Sequence, residues 1–259
     1  DDGSWAGVIQ GTGGLTKVST GELTLSGANT YTGSTLVDAG TLTLSGSIVT
    51  PSVTIASGAI MNDQSGGLDD DVDLEVNGTF NLNANDAVEV LTGSGLINLN
   101  TGTLTVDNGN YSGVIAGTDA VRGIKKVTTG DLTLAGDSTY IGTTQLDEGS
   151  ISLTGSLASR TVNVATGTTL NDINGGLATD ATLTNDGTVE LHADETVLAY
   201  IGTGTLNQNS PDTLTAATYA LNHGSVINAQ LGTGAVTANG TVALNGASAA
   251  ETFTVASGT

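Results

Sequence analysis

The chain has 259 residues, 38 of them glycine, with 26 acidic against 5 basic side chains and a formal charge of −21. Five cations cannot supply the basic stripe that displaces counterions from phosphates, which excludes nucleic acid and, on the same ground, an anionic membrane surface. Lys and Arg are too scarce for the surfaces of a helical bundle, and 37% apolar residues with only Pro51 and Pro211 set the chain apart from a disordered one. With no cysteine, no disulfide staples the fold and no thiol serves as nucleophile or zinc ligand. The longest apolar run, Val197-Leu198-Ala199-Tyr200-Ile201, is far short of the ~20 residues of a spanning helix, so no transmembrane segment is expected. The chain opens on Asp1-Asp2-Gly3 without a signal peptide, and reads as a mature product or a piece of something longer.

From the N-terminus onward, short runs alternate apolar and polar residues. They include Leu23-Thr24-Leu25, Leu42-Thr43-Leu44, Val53-Thr54-Ile55, Leu74-Glu75-Val76, Phe80-Asn81-Leu82 and Leu104-Thr105-Val106. Period-two alternation makes strands with one face inward and Thr, Asn or Glu outward. Glycine, Asn and Asp punctuate them as turns require, and no i, i+3, i+4, i+7 pattern persists for three turns. The chain is therefore predicted to be all-β. Strands this short, with the run at Leu23 answered so soon by the run at Leu42, favour a parallel β-solenoid (β-helix) over a sandwich or propeller. The narrow interior of such a coil suits few aromatics. At about 21 residues per coil, the expectation is roughly 12 coils and a rod of ~60 Å.

The strands are organised in repeats. Gly21-Glu22-Leu23-Thr24-Leu25-Ser26-Gly27-Ala28-Asn29-Thr30-Tyr31-Thr32-Gly33 returns further along as Gly130-Asp131-Leu132-Thr133-Leu134-Ala135-Gly136-Asp137-Ser138-Thr139-Tyr140-Ile141-Gly142. The stretch Ile60 to Leu68 is paired with Leu170 to Leu177 on the same offset, with a one-residue difference in loop content. Upstream, Val8-Ile9-Gln10-Gly11 answers Val114-Ile115-Ala116-Gly117 at a slightly smaller offset, so an insertion of three residues is placed near Arg122. A third copy starts with Gly232-Thr233-Gly234 and stops in mid-unit at Ser257-Gly258-Thr259. The expected organisation is one repeat region over 1–259, with units at about 5–110, 111–218 and a truncated 219–259, cut from a longer repeat protein.

The run Gly11-Thr12-Gly13-Gly14-Leu15-Thr16-Lys17, followed by Gly21 to Gly33 and Ala39-Gly40-Thr41-Leu42, resembles the autotransporter-associated β-strand repeat of type V secreted passengers. Leu214 to Val226 is similar to the repeats of two-partner-secreted biofilm adhesins. The resemblance implies a right-handed β-helix, secreted or attached at the outer-membrane surface of a Gram-negative bacterium. It implies a role in adhesion, biofilm or surface display without shared catalytic residues.

Candidate sites are few. Asp69-Asp70-Asp71-Val72-Asp73-Leu74-Glu75 is a dense run of carboxylates, and calcium takes oxygen ligands. Alternation would set Asp71, Asp73 and Glu75 outward on a strand, with Asp69 and Asp70 in a turn. Since the second copy reads Ala178-Thr179-Asp180-Ala181-Thr182-Leu183, a solvated acidic face is expected in preference to a calcium site. His192 matches Asn83 in the first copy, and neither it nor His223 has a Ser or Asp partner at triad spacing. Parallel β-helices include polysaccharide lyases, which makes an enzyme acting on or binding polysaccharide the functional alternative. Its basic residues would be Arg122 and Lys125 in Arg122-Gly123-Ile124-Lys125-Lys126, while Lys126 matches Lys17 and so reads as scaffold. Outward threonines such as Thr41, Thr43, Thr103 and Thr105 raise an ice-binding face, but they are too sporadic for one and suit ordinary strands. Tyr31 with Tyr140, and Trp5 with Tyr111, hold equal repeat positions; they could stack on sugars but read better as packing posts. No catalytic, cofactor or metal site is expected. The function indicated is a structural stalk or adhesive segment whose partners are carbohydrate, matrix or another cell surface.

Overall fold

The computed structural model describes residues 2–208, 211–246, 248–249 and 252–256. The proposed end of the third copy at Ser257-Gly258-Thr259 lies outside them. Among the described residues there is no helix; the fold is an all-β parallel solenoid of about 13 turns. Every named strand pair is parallel. One stack starts at Leu15–Lys17, passes through Thr35–Val37, Ser52–Ile55 and Asp73–Val76, and continues to Ala243–Leu244. A second rises from Gly3–Trp5 through Glu22–Leu25, Thr41–Leu44, Ile60–Asp63, Thr79–Leu82 and Leu96–Leu99 to Val114–Ala116. A third begins with Gln10–Gly11, Ala28–Tyr31 and Ser47–Ile48. Long strands such as Asp86–Gly93 and Leu104–Tyr111 turn a corner and serve two stacks at once.

The period-two pattern produces this because each rung turns alternate side chains into one narrow core. Along Ile60–Asp63, Thr79–Leu82 and Leu96–Leu99 the second and fourth residues are buried. Leu42, Met61, Phe80 and Ile97 thus lie over one another in register. The outward row is polar and bonds along the axis: Asn62 Nδ2 donates to Thr43 Oγ1 (3.0 Å), Asn81 Nδ2 to Asn62 Oδ1 (2.8 Å) and Asn98 Nδ2 to Asn81 Oδ1 (2.7 Å). Since this row mixes Thr with Asn, Thr43 does not belong to a flat threonine face.

Coils are on average shorter than expected, which is why the chain fits one more of them than the sequence reading allowed. Their lengths also vary: the register step from Asp73 to Val90 is short, and the step from Tyr111 to Leu134 is long. The long step contains the insertion before Arg122, where residues 117–123 form a loop.

A second finding was not foreseen. Equivalent residues of the two copies do not share a face. Glu22–Leu25 lies in the second stack, yet its counterpart Asp131–Leu134 stands in the first, on Gly109–Tyr111 and under Ser150–Leu153. Likewise Leu15–Lys17 lies in the first stack, but Ile124–Lys126 pairs with the opening half of Leu104–Tyr111 in the third. One unit therefore occupies five and two-thirds coils and advances each motif to a different face.

Candidate functional site

The two lysines at equal repeat positions point inward. Lys17 and Lys126 are buried, and their ammonium groups hold the turns of adjoining coils. Lys17 Nζ donates to Ser19 O and to Ala39 O (3.0 Å), while Lys126 Nζ donates to Thr128 O and to Glu148 O (3.4 Å). Burial pulls the Lys126 pKa down, and Asp107, Asp131 and Glu148 oppose it. Neither lysine is open to a substrate. Lys125 does face outward, paired with Asp147 at 3.0 Å, and Arg122 Nη1 reaches Asn85 Oδ1 at 3.4 Å. The structure does not bring these two cations together with a cluster of carboxylates.

Tyr31, Tyr140 and Tyr111 are buried posts, which removes them as sugar-stacking residues, whereas Trp5 at the position of Tyr111 is half exposed. The Tyr31 hydroxyl shares a 2.6 Å hydrogen bond with Thr35 Oγ1, and Tyr140 repeats it with Thr144 Oγ1 at 2.6 Å. Tyr111 Oη is buried without a hydrogen-bond partner. His192 and His223 are both exposed, and His223 Nδ1 accepts the Thr241 N–H at 3.2 Å.

The acidic run differs from expectation in one detail. Asp71 belongs to the turn with Asp69 and Asp70, because the strand begins at Asp73; Asp73 and Glu75 face solvent as predicted. Asp69 Oδ1 accepts the Asp71 N–H at 3.3 Å and Glu75 Oε1 accepts Asn77 Nδ2 at 2.8 Å. Among the described residues no three His, Asp or Glu side chains converge as a metal-binding group. Asp69 and Asp71 border a shallow groove with Thr50 and Pro51. A related groove in the second copy is lined by Asp137, Leu157, Leu177 and Asp180, the last paired with Arg160 at 2.8 Å.

Two buried carboxyl pairs were missed by the sequence reading. Asp63 and Asp86 are 0% and 7% exposed, and Asp172 and Glu195 are 1% and 4%. The second pair stands at the repeat positions of the first, and the loops they hold align without the one-residue difference expected above. Asp63 Oδ1 accepts the N–H groups of Gly66 (3.1 Å) and Gly67 (3.3 Å), and Asp172 Oδ1 those of Gly175 and Gly176 (both 3.1 Å). From the next coil, Asp86 accepts Leu68 N–H (3.1 Å) and Ala87 N–H (2.9 Å), and Glu195 accepts Leu177 N–H (3.0 Å) and Thr196 N–H (2.7 Å). In each pair the two carboxyls, from adjoining coils, meet on consecutive N–H groups of one loop, Gly67 and Leu68 in the first copy and Gly176 and Leu177 in the second. Burial foremost, with the neighbouring acid, pushes Asp86 up to about 8 and Glu195 up to about 9. The available signal was an acid at an inward strand position followed by Gly-Gly, present in both copies.

The fold and its repeated interior define a stacked-coil protein. Two stretches, 15–44 and 128–153, match the family model of the passenger-associated transport repeat, and both contain the buried Tyr–Thr pair. These repeats are typical of autotransporter passenger β-helices, a family whose members are structural or adhesive more often than catalytic. No curated protein and no solved structure matches the chain. Among the described residues no helix is long and apolar enough to cross a membrane.

Proposed function

We propose that this chain is a non-catalytic rod segment of a secreted bacterial surface protein. It spaces a binding region away from the cell or links cells in a matrix, in adhesion or biofilm formation at a Gram-negative surface. The observation that carries this reading is the run of about 13 parallel coils built on passenger-type repeats. Each coil packs on its neighbours alone, so length grows without a new core. The ion pair of Lys125 with Asp147 and the inward burial of Lys126 support a scaffold role over a lyase, which needs a free base beside cation-binding carboxylates.

Two measurements test it. Bacteria displaying the chain should attach to one another or to a surface better than bacteria with the repeats removed in frame; equal attachment contradicts the adhesive role. Incubation with neutral and acidic polysaccharides, with and without calcium, should yield no new reducing or unsaturated ends. Turnover of any of them would replace this reading with an enzyme.

A further inference from the structure

Between Ser47–Ile48 and Asp86–Gly93, the coil at residues 64–72 supplies no strand. Ile48 N–H reaches Gly67 O at 2.8 Å, but Leu68 N–H, which faces the next coil, is satisfied by the Asp86 side chain. The second copy repeats this: Leu157 N–H bonds Gly176 O at 2.7 Å, and Leu177 N–H is taken by Glu195. A carboxyl side chain here replaces a missing backbone rung. The loop has little room to adapt, since Gly66 and Gly175 have φ of +65° and +68°, and a Cβ on either would lie 2.2 or 2.4 Å from a carbonyl oxygen.

The acid replacing the rung shares the loop with a second acid in the loop's own coil, which accepts the N–H groups just before Leu68 and Leu177. Two buried carboxyls that meet on one loop can bond one another only when one carries a proton, because two carboxylates are acceptors alone. Asp172 Oδ2, buried and without an N–H or O–H partner among its neighbours, is the lone pair such a proton would fill. Among the described residues no cation acts on either pair, and Asp63 is registered between Leu44 and Leu82, with Asp86 beside Leu104. Asp172 is registered between Leu153 and Leu191, and Glu195 beside Leu214. Among the described residues Asp63 is the charge acting on Asp86, and Asp172 the charge acting on Glu195. All the named carboxyl–backbone bonds come from N–H donors, which argues for a proton between the acids in preference to a metal cation.

We propose that the Asp63–Asp86 and Asp172–Glu195 pairs are proton-held latches, which clamp a strandless loop of one coil onto the next and loosen as the surroundings turn from acidic to alkaline. The sign follows from linkage. The raised acid binds its proton more tightly in the closed latch than in an opened, solvated one, where it returns to about 4. Closure is strongest below that value and is lost progressively as pH rises toward about 8 for the first pair and about 9 for the second. With one proton released per opening, the opening equilibrium rises about tenfold per pH unit through this window. The two latches stand on different faces of the rod, so each reports separately.

Amide hydrogen exchange on the whole chain, corrected for the intrinsic pH dependence of exchange, tests this between pH 5 and 8. Opening of Gly66, Gly67, Leu68, Gly175, Gly176 and Leu177 should rise about tenfold per unit in the native chain. It should flatten in the Asp63→Asn/Asp172→Asn double variant, where an amide keeps the Oδ1 acceptor and supplies a permanent N–H in place of the proton. Equal slopes in both proteins, or a flat native profile, overturn the proposal. Should the variant not fold, infrared spectroscopy of the native chain at pH 7 decides: a protonated-carboxyl band supports the latch, and fully ionised carboxylates refute it.

Discussion

Single residues in this fold are defined by whether they turn inward, and chemistry alone misjudges several of them. Lys126 is the clearest example, since a cation in a loop-rich chain suggests surface, yet its stem is fully buried and its ammonium ties Thr128 O to Glu148 O. Lys126→Met should cost about 1.5–3 kcal/mol in chemical denaturation, because the hydrogen bonds that its charged group donates to part-buried carbonyls are lost. The tyrosines provide an internal control. Tyr140→Phe removes the bond to Thr144 and should cost about 1 kcal/mol, while Tyr111→Phe removes a hydroxyl that has no partner and should be neutral or stabilising. Equal losses at the two sites would contradict this. The packing role of Tyr31 and Tyr140 was legible in their shared repeat position. The acid pairs were not read, although Met61-Asn62-Asp63 and Leu170-Asn171-Asp172 place an acid where the alternation demands an inward residue. Pairing depends on which coil lies above, and period-two alternation carries no information about that.

At the scale of strands and loops, the alternation was sufficient to locate rungs such as Leu42-Thr43-Leu44 and Phe80-Asn81-Leu82. Coil length was less legible, because the short step from Asp73 to Val90 coexists with the long one from Tyr111 to Leu134, and loops absorb the difference without disturbing the register. The strand start after Asp69-Asp70-Asp71 was misplaced by two residues, since a run of acids shows no point where the turn ends. Some loops are fixed by backbone demands that sequence does disclose. Gly175 occupies left-handed space against Asp194 O. Gly175→Ala should therefore destabilise the chain by more than ~1 kcal/mol, and Gly167→Ala, with a positive φ but open space around its Cβ, by less. Melting the two variants side by side checks the ranking; a milder effect at Gly175 would show that the loop is free to shift.

Across the whole molecule, a charge of −21 lies along a rod of ~60 Å, and many carboxylates fall within a Debye length of one another, ~8 Å at physiological salt. Salt should raise the melting temperature by screening. At matched ionic strength, millimolar calcium should do no more than sodium, because Asp69 and Asp71 sit in a turn bonded to its own backbone and Asp73 starts the strand beyond. A calcium-specific rise lost in Asp71→Asn/Asp73→Asn would contradict that. The long repeat was plain in the sequence, but its passage from face to face was not, since the three stacks accept the same inward alternation and only strand pairing reveals which one a motif joins. The central claim is that stacked coils, indifferent to face, make a rod whose length is set by coil number. Deleting residues 22–130 joins Gly21 to Asp131 and sets Asp131–Leu134 on Gly3–Trp5, where Glu22–Leu25 stood. Small-angle scattering of the intact and shortened chains is the direct measurement. The account predicts a rod shorter by ~27 Å, five and two-thirds coils at ~4.8 Å each, with an unchanged cross-section; an unfolded or thickened product would contradict it.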